Sequence, residues 1–518
     1  MVRRKDLESC KNRKVILGEC LTTQHRILIL NVRLKNVDRS IEHLRKQDRP
    51  RIKWWNLKGE AVGNFKNTIS GEQWAIKEQD SFWIKDKENS STMYEHMANH
   101  IRKKAKEELG MTKGNRNHTK ETWWWNIEVQ KAISEKKRCF KEWQMNKSLE
   151  TYQLYKQVKK RSTRAVGEAK RRVCDDLYAR LGTKEGEKDI YKIAKVRERK
   201  TRDLSNIRCI KNEDGRILTQ DEEILNRWME YFSKLLNETN TSKTNLRKNN
   251  SRVERHFHRR IRTEEVNEAL KKMKSGKAVG PDDLPIEVWR CMGEVGVQWL
   301  TRLFNRIFET RKMPDAWRHS VVVPIYKNKG DIQNCTNYRG IKLMSHTMKL
   351  WERIIERRLR SITSITKNQF GFMPGRSTIE AIFILRQLIE KYREKCKKLY
   401  MIFIDLEKAY DRVPRELIWW VLGRKNVPQC YIDIIKDMYE GAVTSVRSVG
   451  GISKEFSVTV GLHQGSALSP YLFTLVMDEL TRELQNEVPW CMLFADDIVL
   501  VDETKEGLSR KLDNWREA

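Results

Sequence analysis

The chain has 518 residues and carries 103 Lys plus Arg against 70 Asp plus Glu, a formal net charge of +33 at pH 7. That length admits roughly two to four domains at ~150 residues each. The charge calls for a polyanionic partner, nucleic acid first and an anionic membrane surface as the rival. No apolar run approaches the ~18 residues of a membrane span, no lipidation motif is present, and the start MVRRKDLESC lacks the apolar core of a secretory signal. The 10 cysteines are scattered singly with no CxxC pair, as reduced intracellular thiols are. These features exclude a secreted disulfide scaffold and a zinc ribbon, and lead us to expect an intracellular protein, nuclear or cytoplasmic, with no membrane association.

In chain order, His25-Arg-Ile-Leu-Ile-Leu-Asn-Val-Arg-Leu34 is a β-like run too short to form a domain alone. Residues 41–205 are polar and helix-rich, with basic tracts at Lys159-Lys160-Arg161 and Lys170-Arg171-Arg172. Aromatics lie between them, including Trp54, Trp55, Trp123, Trp124, Trp125, Trp143, Tyr152 and Tyr155. Such a stretch is either a set of solvated amphipathic helices or a basic surface that tracks a phosphate backbone while its aromatics stack on bases. The Asn-Glu-Asp-Gly of 212–215, between β-formers, reads as a hairpin. A helix over 221–236 follows, with apolar residues at helical spacing, and 237–250 reads as a linker. From about 260 the apolar runs become denser, at 321–326, 401–405, 456–460 and 490–501, and strands alternate with helices, giving α/β or α+β.

Two short stretches carry chemistry. Tyr400-Met-Ile-Phe-Ile404 reads as a buried strand ending on Asp405, the kind of place where a sheet presents an active site. Phe494-Ala-Asp496-Asp497-Ile-Val-Leu500 puts two carboxylates inside an apolar hairpin. Adjacent carboxylates there are costly unless a cation neutralises them, or unless the turn is simply open to water. The order is strand with Asp405, helix, hairpin at about 443–460, glycine-containing loop, helix, hairpin with Asp496-Asp497, and a last helix from about 503. This is the run of elements in a ferredoxin-like βαββαβ sheet with additions. Two of its central strands would bring Asp405 beside Asp496, where carboxylates from separate strands bridge two divalent ions about 4 Å apart. Mg²⁺ suits all-oxygen ligands and phosphates, with Mn²⁺ as its substitute.

The motif set resembles the reverse transcriptases of non-LTR, LINE-type retrotransposons, and most of all those of the RTE kind. The residues carrying the likeness are Asn337-Tyr-Arg-Gly-Ile-Lys-Leu-Met-Ser345, Gln369-Phe-Gly-Phe-Met-Pro-Gly-Arg-Ser-Thr378, Ile404-Asp405-Leu-Glu-Lys-Ala-Tyr410-Asp411, Gly461-Leu-His-Gln464-Gly465-Ser with Ser469-Pro470, and Phe494-Ala-Asp496-Asp497.

The resemblance implies an α+β fold of right-hand polymerase fingers and a ferredoxin-like palm. It implies residues 251–518 as the reverse transcriptase domain, with a core at about 305–518, 41–250 as a basic helical connector, and 1–40 as the C-terminal end of an endonuclease domain. Asp405, Asp496 and Asp497 would be catalytic metal ligands for two Mg²⁺ ions. Tyr410 would be the steric gate against a 2′-hydroxyl, with ordinary helix packing as the alternative. Gln464 and Gly465 would line the nucleotide, Lys327, with Lys329 as the neighbouring candidate, and Arg339 would hold its triphosphate, and Arg376 would contact template phosphate or be surface charge. Partners would be an RNA template, a DNA primer and deoxynucleoside triphosphates. Gly18 to Arg26 resembles the tail of the family's apurinic-type endonuclease, with His25 as a relic of its active site and Gln24 in place of the usual Asp, so no endonuclease activity is expected. The chain stops inside the helix after the Asp pair, so the thumb of the family is expected to be absent. Two alternatives stand beside RNA-directed DNA polymerase: a nucleic-acid-binding remnant without catalysis, and an RNA-directed RNA polymerase, since Asp405 and Asp411 have the spacing with which such enzymes bind a ribose hydroxyl.

Overall fold

The structure is a computed structural model that describes residues 10–22, 25–32, 50–71, 89–112, 125–146, 148–179, 209–238, 259–448 and 451–517. The expected linker, Trp123 and Trp124 lie wholly or largely outside the described residues. Two compact units divide the chain: 1–51 with 112–118, and 52–111 with 119–518.

The first unit contains an antiparallel hairpin of β1 (Cys10–Thr22) and β2 (His25–Val32), with Val15 opposite Leu28 and Ile16 opposite Ile27. Within the β-like run, His25–Val32 is thus the return arm of a hairpin, and His25 opens it opposite Thr22; Arg33 and Leu34 lie outside the described residues.

Among the described residues, the second unit begins with the helices α1 (Glu60–Gly71), α2 (Ser90–Leu109), α3 (Ile127–Asn146) and α4 (Leu149–Ala179). Asn89 starts α2 by accepting the Ser91 amide on its side chain, satisfying one of the orphan donors of a helix N-terminus. Helical spacing then buries Tyr94, Met97, Ile101 and Ala105 on one face. With Phe65 and Ile69 of α1, that face joins the same hydrophobic core as Trp289, Phe304, Trp351, Phe473 and Leu500. The core therefore extends well upstream of residue 251. α3 and α4 form a helical hairpin in which Phe140, Trp143, Tyr152 and Tyr155 contact one another; Trp143 and Tyr155 are stacked at 5.7 Å. Of the two readings of this stretch, amphipathic helices are what the structure shows; Trp143, Tyr152 and Tyr155 pack on one another, with Tyr152 still 43% exposed.

The Asn-Glu-Asp-Gly turn joins β3 (Ile210–Lys211) to β4 (Ile217–Leu218), and α5 (Asp221–Asn237) follows as the spacing required. Ile224, Trp228, Phe232 and Leu236 of α5 form a second core with Val322, Tyr338 and Val446. Next come α6 (Thr263–Lys272) and α7 (Ile286–Thr310), the latter broken at Gly293.

Two sheets follow. One has the strand order β10-β8-β5-β6, from β5 (His319–Tyr326), β6 (Tyr338–Leu343), β8 (Val443–Ser448) and β10 (Phe456–Ser457), with β9 (Gly451–Ile452) paired to β8. β5 and β6 are antiparallel, whereas β5 and β8 are parallel. The other has the order β11-β12-β7, from β7 (Tyr400–Asp405), β11 (Cys491–Phe494) and β12 (Asp497–Asp502). The single ferredoxin-like sheet of the sequence reading is thus two sheets, because the strand at 443 pairs with 319–322 and leaves β7 to β12 alone.

The remaining helices are α8 (His346–Ile362), α9 (Thr378–Glu394), α10 (Ala409–Arg412), α11 (Arg415–Arg424), α12 (Gln429–Tyr439), α13 (Ser469–Leu480) and α14 (Lys505–Glu517). β7 is not the buried strand its four apolar residues promised. It is an edge strand with Phe403 69% exposed, because only alternate side chains of a strand reach the covered face.

Candidate active site

The antiparallel register of β7 and β12 makes Asp497 the partner of Asp405, Ile498 of Ile404 and Val499 of Phe403. Opposed residues in such a pair share a face with Cβ atoms ~4.5–5.5 Å apart. Asp496 lies in the turn between β11 and β12, and its carbonyl accepts the Leu406 amide at 3.4 Å. The sequence reading set Asp405 beside Asp496; the cross-strand partner is instead Asp497, with Asp496 one residue away.

A residue that was not singled out holds the turn. Ala495 has φ +60°, and its amide donates to Gln369 Oε1 at 3.0 Å. The same oxygen accepts the Gly371 amide at 2.8 Å. The chain around Gln369 runs along β11, with Phe370 N bonded to Leu493 O and Leu493 N to Asn368 O. A Cβ on Gly371 would lie 2.4 Å from the Ala495 nitrogen, so glycine is what allows this close approach.

Partial burial, followed by the charges of Asp496 and Asp405, pushes the Asp497 carboxyl above its ordinary range. Among the described residues no ion pair engages Asp405, Asp496 or Asp497, and no three His, Cys, Asp or Glu side chains converge to hold a metal by themselves.

Beside these carboxylates the Tyr410 ring stacks on Phe473 at 4.3 Å and meets Phe372 edge-on. Burial and the nearby Asp496 charge push its hydroxyl well above the usual range, and that hydroxyl has no hydrogen-bond partner. Asp411, 8% exposed, accepts Gln464 Nε2 on Oδ2 at 2.8 Å. Burial pushes the Asp411 carboxyl up to about 6 against the opposing pull of Lys342. Lys342 is 3% exposed, and burial and Arg415 push it down to about 7, with Asp411 opposing. The 461–465 loop is tied on both sides: Leu462 N to Tyr410 O and Lys342 N to Gln464 O, each 2.8 Å. Gly465 has φ +109°, and a Cβ there would lie 2.7 Å from the Lys342 carbonyl, so this position requires glycine.

Residues 325–518 match the family model described as reverse transcriptase (RNA-dependent DNA polymerase). The chain carries a reverse transcriptase domain. It is similar to the Pol polyprotein of the type-1 retrotransposable element R2 of Nasonia vitripennis, 29% identical over 256 residues, covering 48% of this chain and 24% of that protein. It is also similar to the probable RNA-directed DNA polymerase of the Drosophila melanogaster transposon X-element, 29% identical with 45% and 26% covered. The polymerase of the mobile element jockey from the same fly is 25% identical, with 50% and 30% covered. The chain thus spans about a quarter of the length of the curated relatives it matches. A solved structure of apo telomerase from Candida tropicalis aligns with a TM-score of 0.29 at 15% identity, covering 39% of this chain and 47% of that one.

Within the reverse transcriptase domain, Lys327 directly follows β5, its amide bonded to Asn337 O, and its charge acts on Asp411. Arg339 is exposed on β6 opposite Ile325. Arg376 is already engaged by Phe370, over whose ring it lies at 4.7 Å, and by Glu380 at 2.9 Å. His25 belongs to the other compact unit. Elements outside the matched residues also reach the domain: the Tyr231 ring of α5 lies 5.5 Å from Lys408 Nζ, and the Leu236 carbonyl accepts the amides of Thr459 and Val460 just before the Gln464 loop.

Proposed function

We propose that the chain is an RNA-directed DNA polymerase, extending a DNA primer on an RNA template with deoxynucleoside triphosphates. The observation that carries this reading is the β7–β12 register, which brings Asp405, Asp497 and the adjoining Asp496 to one sheet end beside Tyr410 and the anchored Gln464 loop. In this reading, 251–518 is fingers and palm, 41–250 a basic connector and 1–40 the end of an endonuclease-type domain with His25 as its relic.

Asp405, Asp496 and Asp497 would hold Mg²⁺, or Mn²⁺ in its place, in two-metal nucleotidyl transfer. When bound, the ions would lower the pKa of the primer 3′-hydroxyl and offset the charge of the leaving pyrophosphate. The protein's own contribution is positional. Gln464 and Gly465 line the nucleotide, Gln464 oriented by Asp411. Lys327 and Arg339 meet the triphosphate, Arg339 with a fork suited to phosphate oxygens. Tyr410, braced on Phe473, closes the space beneath the sugar, and Arg376 flanks the template path.

The Asp411 carboxylate also weighs against an RNA polymerase, because Gln464 and the neighbouring Lys342 already engage the group that would bind a ribose hydroxyl. The test is primer extension on an RNA template with Mg²⁺, comparing wild type with Asp496→Asn. Extension should be abolished in the variant while RNA mobility shifts stay nearly unchanged. A wild type that binds RNA yet adds no nucleotide would favour a binding remnant instead.

A further inference from the structure

We propose that the outer face of α4 is a docking strip for the phosphate backbone of a nucleic-acid duplex, separate from the polymerase site. The hairpin of α3 and α4 is closed along a seam of Val129, Cys139, Val158, Ser162 and Ala169, all buried. At about 100° per residue, the side of α4 facing away from that seam carries Lys156, Lys159, Lys160, Arg164, Lys170 and Arg171, every one exposed, with Thr163 and Gly167 between them and Arg164 paired to Glu168 at 2.8 Å. They occupy an arc of about 140°. The four acidic residues of α4, Glu150, Glu168, Asp175 and Asp176, all fall outside it. From Lys156 to Arg171 the strip runs about 22 Å along a straight helix.

Three features define the occupant. Five of its cations have no acidic residue inside the arc and only Thr163 and Gly167 interrupt them between Lys156 and Arg171, so its complement is a polyanion. No aromatic residue lies on α4 between Lys156 and Arg171, and the half-exposed Tyr152 ring beyond the strip's N-terminal end packs on Trp143, so the strip itself offers no stacking platform of the kind single strands use. Each helix is about 10–12 Å across with its side chains. A two-helix hairpin is therefore too broad for a major groove ~12 Å wide and must lie across the backbone. Binding is then independent of base sequence and driven by release of condensed counterions. A duplex, with its rigid rows of phosphates, matches a rigid row of cations better than a flexible strand does.

The experiment uses the full chain and reads binding, so it stands or falls apart from primer extension. Equilibrium binding to a 30-base-pair DNA duplex, an RNA duplex and a single strand is measured across a salt series. The variant is Lys156→Gln/Lys159→Gln/Lys160→Gln/Arg171→Gln, glutamine having nearly the helix propensity of lysine. A variant of equal charge change, Lys271→Gln/Lys272→Gln/Lys274→Gln/Lys277→Gln, is the control. Removing four phosphate contacts should flatten the slope of log affinity against log salt on DNA duplex by about 3 to 4. The control should change it far less, single-strand binding should be little affected, and the same four positions changed to Arg should keep the wild-type slope. Equal slopes for the variant and the control, a loss confined to single strands, or a slope lost even in the Arg variant would overturn the proposal.

Discussion

Asp411 and Gln464 offer the sharpest perturbation of the proposed nucleotide pocket. The 2.8 Å bond from Gln464 Nε2 to a carboxylate only 8% exposed is of the charge-assisted kind, worth about 1.5–3 kcal/mol. The backbone ties from Leu462 and Lys342 survive its removal, so the loop should stay in place while the Gln464 amide is released. In a double-mutant cycle of Asp411→Ala and Gln464→Ala, read as kcat/KM for a deoxynucleotide, each single change should cost about tenfold or more. The pair should cost little beyond Gln464→Ala alone, a coupling of about 1–2 kcal/mol. Asp411→Asn keeps an acceptor oxygen and should retain most of the activity. Additive effects, with coupling under about 0.5 kcal/mol, would refute the claim that Asp411 acts through Gln464.

Three further outcomes follow from the same geometry. Gly371→Ala forces a Cβ to 2.4 Å from the Ala495 nitrogen, and should lower unfolding free energy by about 1–3 kcal/mol and depress extension; chemical denaturation showing no loss would mean the close approach is wrong. Phe403→Ser, at an exposed position, should leave stability within about 0.5 kcal/mol, whereas a loss of several kcal/mol would restore the buried strand of the sequence reading. Lys342 is held near 7, below the ordinary lysine range, so the unfolded chain binds more protons between about pH 7 and 10 and stability should rise with pH across that window. Lys342→Met should flatten that rise, and an unchanged rise would place the titration elsewhere.

Much of the site was legible because its residues are consecutive or bounded by glycine and proline. The strand ending on Asp405, the hairpin of the Asp pair and the loop at Gln464 all fall where their local pattern put them. What could not be read was pairing across the sheet. Whether Asp496 or Asp497 opposes Asp405 depends on a one-residue register, which side-chain alternation alone leaves open in a strand apolar at four consecutive positions. The same run hid the exposure of Phe403. Gln369 stood at the head of a motif with no role attached, because a glutamine acquires its meaning here only from the Ala495 amide 126 positions away. Lys342 left a fainter signal: a lysine two residues beyond Gly340 lies on the face of β6 that a hydrophobic residue would normally take. In the upstream region helices were readable from composition, but their packing into the polymerase core through Tyr94 and Phe65 was not, since a polar, charge-rich surface masks a narrow apolar stripe.

The central claim is that Asp405, Asp496 and Asp497 share divalent cations with the incoming nucleotide. Titration of Mn²⁺ by electron paramagnetic resonance, with primer–template and a deoxynucleoside triphosphate present, tests it most directly. Wild type should take up Mn²⁺ beyond what the nucleotide alone binds, and Asp405→Asn or Asp496→Asn should weaken that uptake by about tenfold or more, each having lost one unit of ligand charge. Identical uptake by wild type and both variants would contradict the account.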